Sequence, residues 1–331
     1  MGFYRDMALD LGTATVQGAA KGQGVILREP SLAAADRQTG QVLAVGQAAR
    51  EMLDRTPGAL AARYPMVGGV IADGGLAQEM LRVFLKQALG KGLGKPRLLL
   101  AVPTGISPVE ERALIDAGLQ AGAGKVYLME APLAAALGAG QDVDSPQGQL
   151  VVSLGAGVTD GAVVAMGRVM ASVCTTAAGD RLEESLIQAV RRGHDLVLGR
   201  QTARALKHDL VGKPMTVKGR CLTTGLPREV ELTPEDAARA FRPVVKEILA
   251  ALRDLLEKTP PELAEDVREN GILLTGGGSR LAGLAETIAQ ATGIPTKVAP
   301  DPELAVILGL EATLPHLNGR KEGPLDLARH R

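Results

Sequence analysis

A chain of 331 residues, 46% hydrophobic and 22% charged, has the balance of an ordinary globular protein and is long enough for two domains of similar size. Its 37 Lys and Arg are matched by 37 Asp and Glu, so no broad basic field recommends a nucleic-acid partner. Aromatics are only 2% and Trp is absent, which excludes base-stacking platforms and leaves the core to Ala, Val, Leu and Ile. Cys174 and Cys221 read as buried free thiols of a reducing compartment. His194, His208, His316 and His330 are scattered and form no metal-ligand spacing. Residues 1–10 lack the apolar core of a signal peptide, and no run of about 18 apolar residues exists to span a membrane.

In chain order, Met7 to Leu11, Thr13 to Ala20 and Gly24 to Arg28 read as three strands of an antiparallel meander. Ser31 to Ala35 and Val42 to Val45 bracket the hairpin signal Thr39-Gly40, and Gln47 to Asp54 is a short helix. Leu76, Met80, Leu81, Phe84, Leu85 and Leu89 make a helical stripe. Leu98 to Val102 is a buried strand. Ser107, Pro108 and Glu110 then spell a capping box that starts a helix reaching Ala121. Val126 to Met129 is a strand, and Pro132 opens the small-residue helix Leu133 to Gly138. From Gln147 the order starts again. Val151 to Leu154, Gly161 to Met166 and Val169 to Cys174 form a second meander, and Arg181 to Arg191 and Thr202 to Leu210 are helical. Met215 to Lys218 and Glu229 to Leu232 form a looped hairpin. Thr233 caps a long helix to Lys258 with the stripe Ala237, Phe241, Val245, Ile248, Leu249, Leu252 and Leu256. Gly271 to Leu274 is a strand, a helix follows from about Leu281, Thr296 to Val298 is the last strand, and Glu303 to Ala312 the last long helix. The pattern is a duplicated α/β fold with mixed sheets, divided into residues 1–146 and 147–331.

Three glycine turns each follow a buried strand: Gly12-Thr13-Ala14-Thr15, Gly155-Ala156-Gly157-Val158 and Thr275-Gly276-Gly277-Gly278-Ser279. Backbone N–H groups exposed in such turns make concavities for anions, and a helix N-terminus after the third turn adds to the pull. The spacing is neither a P-loop nor a dinucleotide fingerprint, because Gly12 and Gly155 lead into second strands.

At these residues the chain resembles the MreB family of bacterial actin homologues, within the actin, Hsp70 and sugar-kinase superfamily. The resemblance runs from Ala8 to about Leu314. It is carried by Asp10-Leu11-Gly12-Thr13-Ala14, Glu29-Pro30-Ser31, Gly69-Val70-Ile71-Ala72-Asp73, Glu130-Ala131-Pro132, Ala178-Gly179-Asp180, Thr224-Gly225-Leu226-Pro227, Thr259-Pro260-Pro261-Glu262-Leu263 and Leu274-Thr275-Gly276-Gly277-Gly278-Ser279. It implies an actin-like (ribonuclease H-like) fold, with small subdomains at about 31–75 and 181–258 beside the nucleotide cleft. It further implies ATP held by the three turns together with Arg204 and Lys207, Mg²⁺ bound through water to Asp10, and membrane-associated filaments that organise wall synthesis and rod shape. The implied partners are other copies of the chain, an MreB paralogue, the cell-wall elongation machinery and the inner face of the plasma membrane. The membrane loop would present Leu93, beside Gly94 and between Lys91 and Lys95, with help from Phe3, Tyr4 and Arg5. So few apolar side chains bind marginally until filament avidity multiplies them.

Several positions depart from the family's pattern, among them Ala156, which adds a Cβ where the second turn's middle glycine is expected. The second turn typically reads Asp-Ile-Gly-Gly-Gly-Thr-Thr-Glu there, and here it is Ser153-Leu154-Gly155-Ala156-Gly157-Val158-Thr159-Asp160. Ser153 replaces a metal-side acid, and Val158 replaces a threonine that places the attacking water. Ala131 replaces the second of two glutamates, leaving Glu130 one position away as a substitute. On the nucleoside side Arg204 stands where an acid near the ribose is expected, and reads as a solvated residue or a phosphate contact. A hard cation prefers carboxylates, and phosphoryl transfer needs a placed nucleophile and a charge clamp. The expectation is therefore an ATP-binding filament protein with hydrolysis weak or lost. Two alternatives stay open: an active ATPase whose water is held by Glu130 and Thr159, and an actin-fold adaptor that never polymerises. A sugar-kinase-like enzyme would need an inserted substrate domain, and none is evident.

Overall fold

Short buried runs that alternate between two apolar faces become strands here, and longer stripes at helical spacing cover them. The computed structural model describes residues 6–56, 58–90 and 95–318. The first half begins with β1 (Asp6–Leu11), β2 (Thr15–Ala20) and β3 (Gly24–Pro30). Next come β4 (Ala33–Asp36), β5 (Val42–Val45), α1 (Gly46–Arg55), β6 (Leu60–Arg63) and the small hairpin β7 (Met66–Val67) and β8 (Val70–Ile71). It closes with α2 (Gly74–Leu89), β9 (Arg97–Val102), α3 (Pro108–Gln120), β10 (Lys125–Glu130) and α4 (Ala131–Gly138).

The second half repeats the plan with β11 (Gln149–Leu154), β12 (Thr159–Ala165), β13 (Arg168–Thr175), α5 (Gly179–His194), β14 (Leu196–Val197) and α6 (Arg200–Asp209). It continues through β15 (Met215–Cys221), β16 (Pro227–Leu232), α7 (Pro234–Lys258), α8 (Pro261–Asn270), β17 (Ile272–Thr275), α9 (Leu284–Thr292), β18 (Thr296–Val298) and α10 (Ala305–Thr313).

The two main sheets have the same order, β3-β2-β1-β9-β10 and β13-β12-β11-β17-β18. In each, a meander of antiparallel strands is extended by two parallel ones. Alternation along β1 sends Met7, Leu9 and Leu11 to an outer core with Leu81, Phe84 and Leu114, and sends Ala8 to an inner one. On β11, Leu150, Val152 and Leu154 join the outer core of the second half, while Val151 joins Ala8 in the inner core. The inner core also holds α4 and α10, which cross between the sheets. They touch through backbone. A Cβ on Gly138 would collide with the Ala305 carbonyl oxygen, and one on Gly309 with that of Ala134.

The caps expected at Ser107 and Thr233 are formed, each reciprocated by an acid three residues on, Glu110 and Asp236. Asp73 caps α2 through the Leu76 amide and pairs with Arg63. Several features differ from expectation. The third glycine turn enters a single 3-10 turn (Gly277–Arg280), and α9 starts only at Leu284, so no α-helix N-terminus lies directly behind these glycines. Strand β6 escapes a propensity reading because half of it is Ala and it pairs with Ala33 to Ala35. The two-residue strands β7, β8 and β14 are too short to show a period, and α8 buries only Val267. Cys221 is buried but Cys174 is exposed, because it lies on the outermost strand of its sheet.

Candidate functional site

The same alternation that builds the cores sets the floor of the cleft. Asp10 follows Ala8 on the inner face of β1, and Ser153 follows Val151 on the inner face of β11. The two residues are thus equivalents in the two halves. Ladder partners share a face, so Gln17 stands opposite Asp10, and Asp160 and Thr275 flank Ser153. Burial pushes the Asp10 carboxyl up to about 6.

The three glycine turns meet above this floor. A Cβ on Gly157 would collide with Thr13 Oγ1 and lie 3.0 Å from the Gly68 amide, so the first and second turns are in direct contact. Gly276, at φ +78, and Gly278 lie against the Leu154 carbonyl, which joins the third turn to the end of β11. The carbonyls of Gly155 and Ala156 accept from the first amides of α5, Gly179 at 3.1 Å and Asp180 at 2.7 Å. Gly276 and Ser279 spend their amides on the Pro302 and Gly276 carbonyls. No hydrogen bond between described residues uses the amides of Thr13, Ala14, Ala156, Gly157, Gly277 or Gly278. Free amides in glycine turns of this kind form an anion-binding nest.

Val158 is half-buried and packs against the first half of the chain. A Cβ on Gly69, at the tip of the β7–β8 hairpin, would lie 3.2 Å from both Val158 methyls and 3.0 Å from Pro103. The same tip is held by the Gly69 amide donating to Thr13 Oγ1 at 3.2 Å. An apolar contact therefore fills the place where the resemblance puts a water-placing hydroxyl. Thr159 offers no replacement: it is buried, and its hydroxyl donates to the Ala177 carbonyl at 2.6 Å. Glu130 caps the end of β10 without a side-chain bond to α4, and its charge reaches Asp160.

Asp160 itself escaped the sequence reading as a site residue. It is buried, and it accepts from Thr104 of the first half through the backbone amide at 2.8 Å and through the hydroxyl. Burial, reinforced by Glu130, pushes its carboxyl up to about 7 against the opposing pull of Thr104. Thr104 lies in the loop after β9, so this bond joins the halves across the cleft. The available signal was an acid closing the second turn in Thr159-Asp160. What hid it was that its partner is 56 residues away.

On the nucleoside side, Arg204 is neither a freely solvated residue nor a free phosphate contact. It donates to Glu183 at 2.9 Å and pairs with Asp180 at 3.3 Å. Lys207 is buried and donates to Glu183 at 2.8 Å. Glu183, fully buried, is the hub of this network, and Arg200 borders it. Lys207 Nζ also lies 3.1 Å from a Cβ position on Gly179, beside the second turn. Leu93, Lys91, Gly94, Phe3, Tyr4 and Arg5 lie outside the described residues. Among those described, no helix is long and apolar enough to cross a membrane.

Asp10 offers a cation a carboxylate, and two buried oxygens on the ladder partners of Asp10 and Ser153, Gln17 Oε1 and Thr275 Oγ1, have no hydrogen-bond partner among the described residues. An oxygen-rich floor beneath free amides fits a hard divalent cation accompanying a phosphate chain. Among the described residues no group of three His, Cys, Asp or Glu is assembled, and both Asp160 oxygens accept from Thr104, so Asp10 and neutral oxygens would have to hold it.

Two sheets of identical order, crossed by α4 and α10 and opening on three glycine turns, define an actin-like protein. The family model "MreB/Mbl protein" matches residues 4–322. The cell shape-determining protein Mbl of Bacillus subtilis (strain 168) is 38% identical over 324 residues, covering 96% of this chain and 97% of its own length. The cell shape-determining protein MreB of Escherichia coli (strain K12) is 39% identical over 320 residues, covering 93% of this chain and 92% of its own. The crystal structure of MreB 5 of Spiroplasma citri bound to AMPPNP superposes with a TM-score of 0.89 at 32% identity, covering 96% of this chain and 98% of that one. The chain belongs to the MreB/Mbl family of cell shape-determining proteins.

Proposed function

We propose that this chain binds ATP with Mg²⁺ between its two halves, hydrolyses it slowly or not at all, and assembles into filaments at the inner face of the plasma membrane that help organise wall synthesis. The nucleotide site comprises Gly12 to Thr15, Gly155 to Val158, Lys207 and Thr275 to Ser279, with residues 1–146 and 147–331 as the two domains. The observation that carries this reading is the junction of the three turns with six amides left free, over a floor bearing Asp10. The related MreB 5 of Spiroplasma citri has been solved with AMPPNP and with ADP.

When bound, Mg²⁺ would supply charge neutralisation for the phosphates, and Asp10 would hold it. The turn amides orient the phosphate chain. Lys207, tied to Glu183 beside Gly179, sets the positive side of the site. Val158, packed on Gly69, puts methyls where the resemblance expects a water-placing hydroxyl. That contact and the loss of acids at Ser153 and Ala131 argue for a nucleotide that is held as a structural ligand, in line with a scaffold that copolymerises with an active paralogue. Arg204, committed to Glu183 and Asp180, stiffens the wall of the site and leaves the ribose without an acid to accept from it.

The test is electron microscopy of the purified protein with ATP and anionic vesicles, run beside a fluorescent ATP titration. ATP-dependent filaments on the vesicles are expected. Tight ATP binding with only monomers at high concentration would instead identify a non-polymerising adaptor.

A further inference from the structure

With Ser153 in place of an acid and both Asp160 oxygens bonded to Thr104, Asp10 is the carboxylate left to the cation, and the first half carries a feature that answers this. Gln17 is only 5% exposed and stands directly opposite Asp10 in the β1–β2 ladder, so both side chains lie on the inner face. Its Nε2 donates to the Glu303 carbonyl at 3.0 Å. That bond fixes which end of the amide is which. A flipped amide would set Oε1 against the Glu303 carbonyl, acceptor against acceptor. Among the described residues Oε1 is therefore left without a partner, buried on the face that Gln17 shares with Asp10. A strut to the Glu303 loop needs only the nitrogen, and a buried acceptor next to another acceptor is unfavourable unless something positive comes between them. Amide oxygens are ordinary ligands of hard cations. In the second half the position equivalent to Asp10 is Ser153, flanked by Thr275, whose buried hydroxyl oxygen has no partner among the described residues, and by Asp160, whose two carboxyl oxygens accept from Thr104.

We propose that Gln17 Oε1 is a ligand, direct or through one water, of the divalent cation that accompanies the nucleotide phosphates, and that it takes over in the first half the share of cation binding that Ser153 has lost in the second. The assignment rests on the nucleotide reading above. It makes the cation site lopsided: Asp10 and Gln17 on one sheet bear most of the binding, with Ser153 and Thr275 on the other as weak neutral oxygens. The ligand chemistry is that of a small hard cation, Mg²⁺ or Mn²⁺, met together with a polyphosphate.

The test uses the full-length protein with ATP and follows Mn²⁺ by electron paramagnetic resonance, with parallel ATP titrations in Mg²⁺ and in EDTA. Gln17→Leu is expected to weaken Mn²⁺ binding to the ATP complex by about tenfold, and Gln17→Glu to strengthen it, while ATP affinity in EDTA stays within about twofold for all three proteins. A strut role would make Gln17→Glu as damaging as Gln17→Leu, since both lose the donor to Glu303, and would lower affinity in EDTA as well; that pattern overturns the assignment. Magnesium-dependent ATP binding in the wild type that Gln17→Leu leaves unchanged overturns the Gln17 assignment alone. Wild-type ATP affinity that is equal in Mg²⁺ and EDTA overturns both it and the cation reading beneath it. Should Gln17→Leu not fold, Gln17→Glu decides by itself: no gain in Mn²⁺ affinity contradicts the proposal.

Discussion

The two halves of this molecule share one architecture and differ in their chemistry. Their sheets have the same strand order, and their inner faces join in one apolar core of Ala, Val and Leu. Even the crossing helices mirror each other, with Gly138 and Gly309 at the contact. At the end of the first strand, however, the first half keeps Asp10 with Gln17 beside it, and the second has Ser153. In the turn that follows, Thr13 offers a hydroxyl, which accepts from Gly69, where the second turn offers the Val158 methyls. Packing constrains both halves alike, because they bury each other. The chemistry constrains them separately, so one half can lose its acid without loss of the fold.

The largest effects should come from the symmetric part. Gly138→Ala and Gly309→Ala each gain about 1 kcal/mol of helix propensity, yet each drives a Cβ into a facing carbonyl. Both should therefore lose about 2–3 kcal/mol net by denaturant unfolding, and by similar amounts. A large loss at one and none at the other would show that the crossing is not equivalent. Next in size is the unequal pair. Asp10→Asn should weaken magnesium-dependent ATP binding by about a hundredfold, Ser153→Ala should change it by less than about twofold, and Ser153→Asp should strengthen it by about tenfold. Equal losses at Asp10 and Ser153 would remove the asymmetry.

The bond that joins the halves comes third. Thr104→Val leaves Asp160 without its hydroxyl donor and should cost about 1–2 kcal/mol. Burial pushes the Asp160 carboxyl up from the ordinary carboxylate range to about 7 in the folded chain. The folded protein thus holds more protons than the unfolded one in that window, and stability should fall as pH rises from about 4 to about 7. Glu130, whose negative charge adds to the shift, faces the same carboxyl, as does the thiol of Cys174. Asp160→Asn should flatten that part of the curve, which thermal melts across the range would detect. The smallest effect is at Arg204. Its side chain is 40% exposed and shares Glu183 with Lys207, so Arg204→Met should cost less than about 1 kcal/mol. Lys207→Met should cost more, because it strips the better-buried partner from a buried carboxylate.

Most of the strands and helices could be read from period and caps, since those are local properties of the chain. The Ser107 and Thr233 boxes, the α2 stripe and the two meanders all stand where their spacing puts them. The turns were legible as well, since glycines after buried runs have few other uses. What stayed hidden depends on pairing across long separations. Asp160 meets Thr104 from the other half, Glu183 collects Arg204 and Lys207 from a different helix, and Gln17 gains meaning only from the strand register that sets it opposite Asp10. The role of Gly276 and Gly278 is likewise a matter of contact, since their close approach to Leu154 joins two turns that the sequence separates by more than a hundred residues.

The central claim is that the second half holds a phosphate chain but no longer helps to break it. A single-turnover measurement of phosphate release from bound ATP tests this directly, comparing the wild type with a variant carrying Ala131→Glu, Ser153→Asp and Val158→Thr. The account predicts that the wild type keeps its ATP intact while the triple variant releases phosphate at least about a hundredfold faster. Release from the wild type at the rate of the triple variant would contradict it.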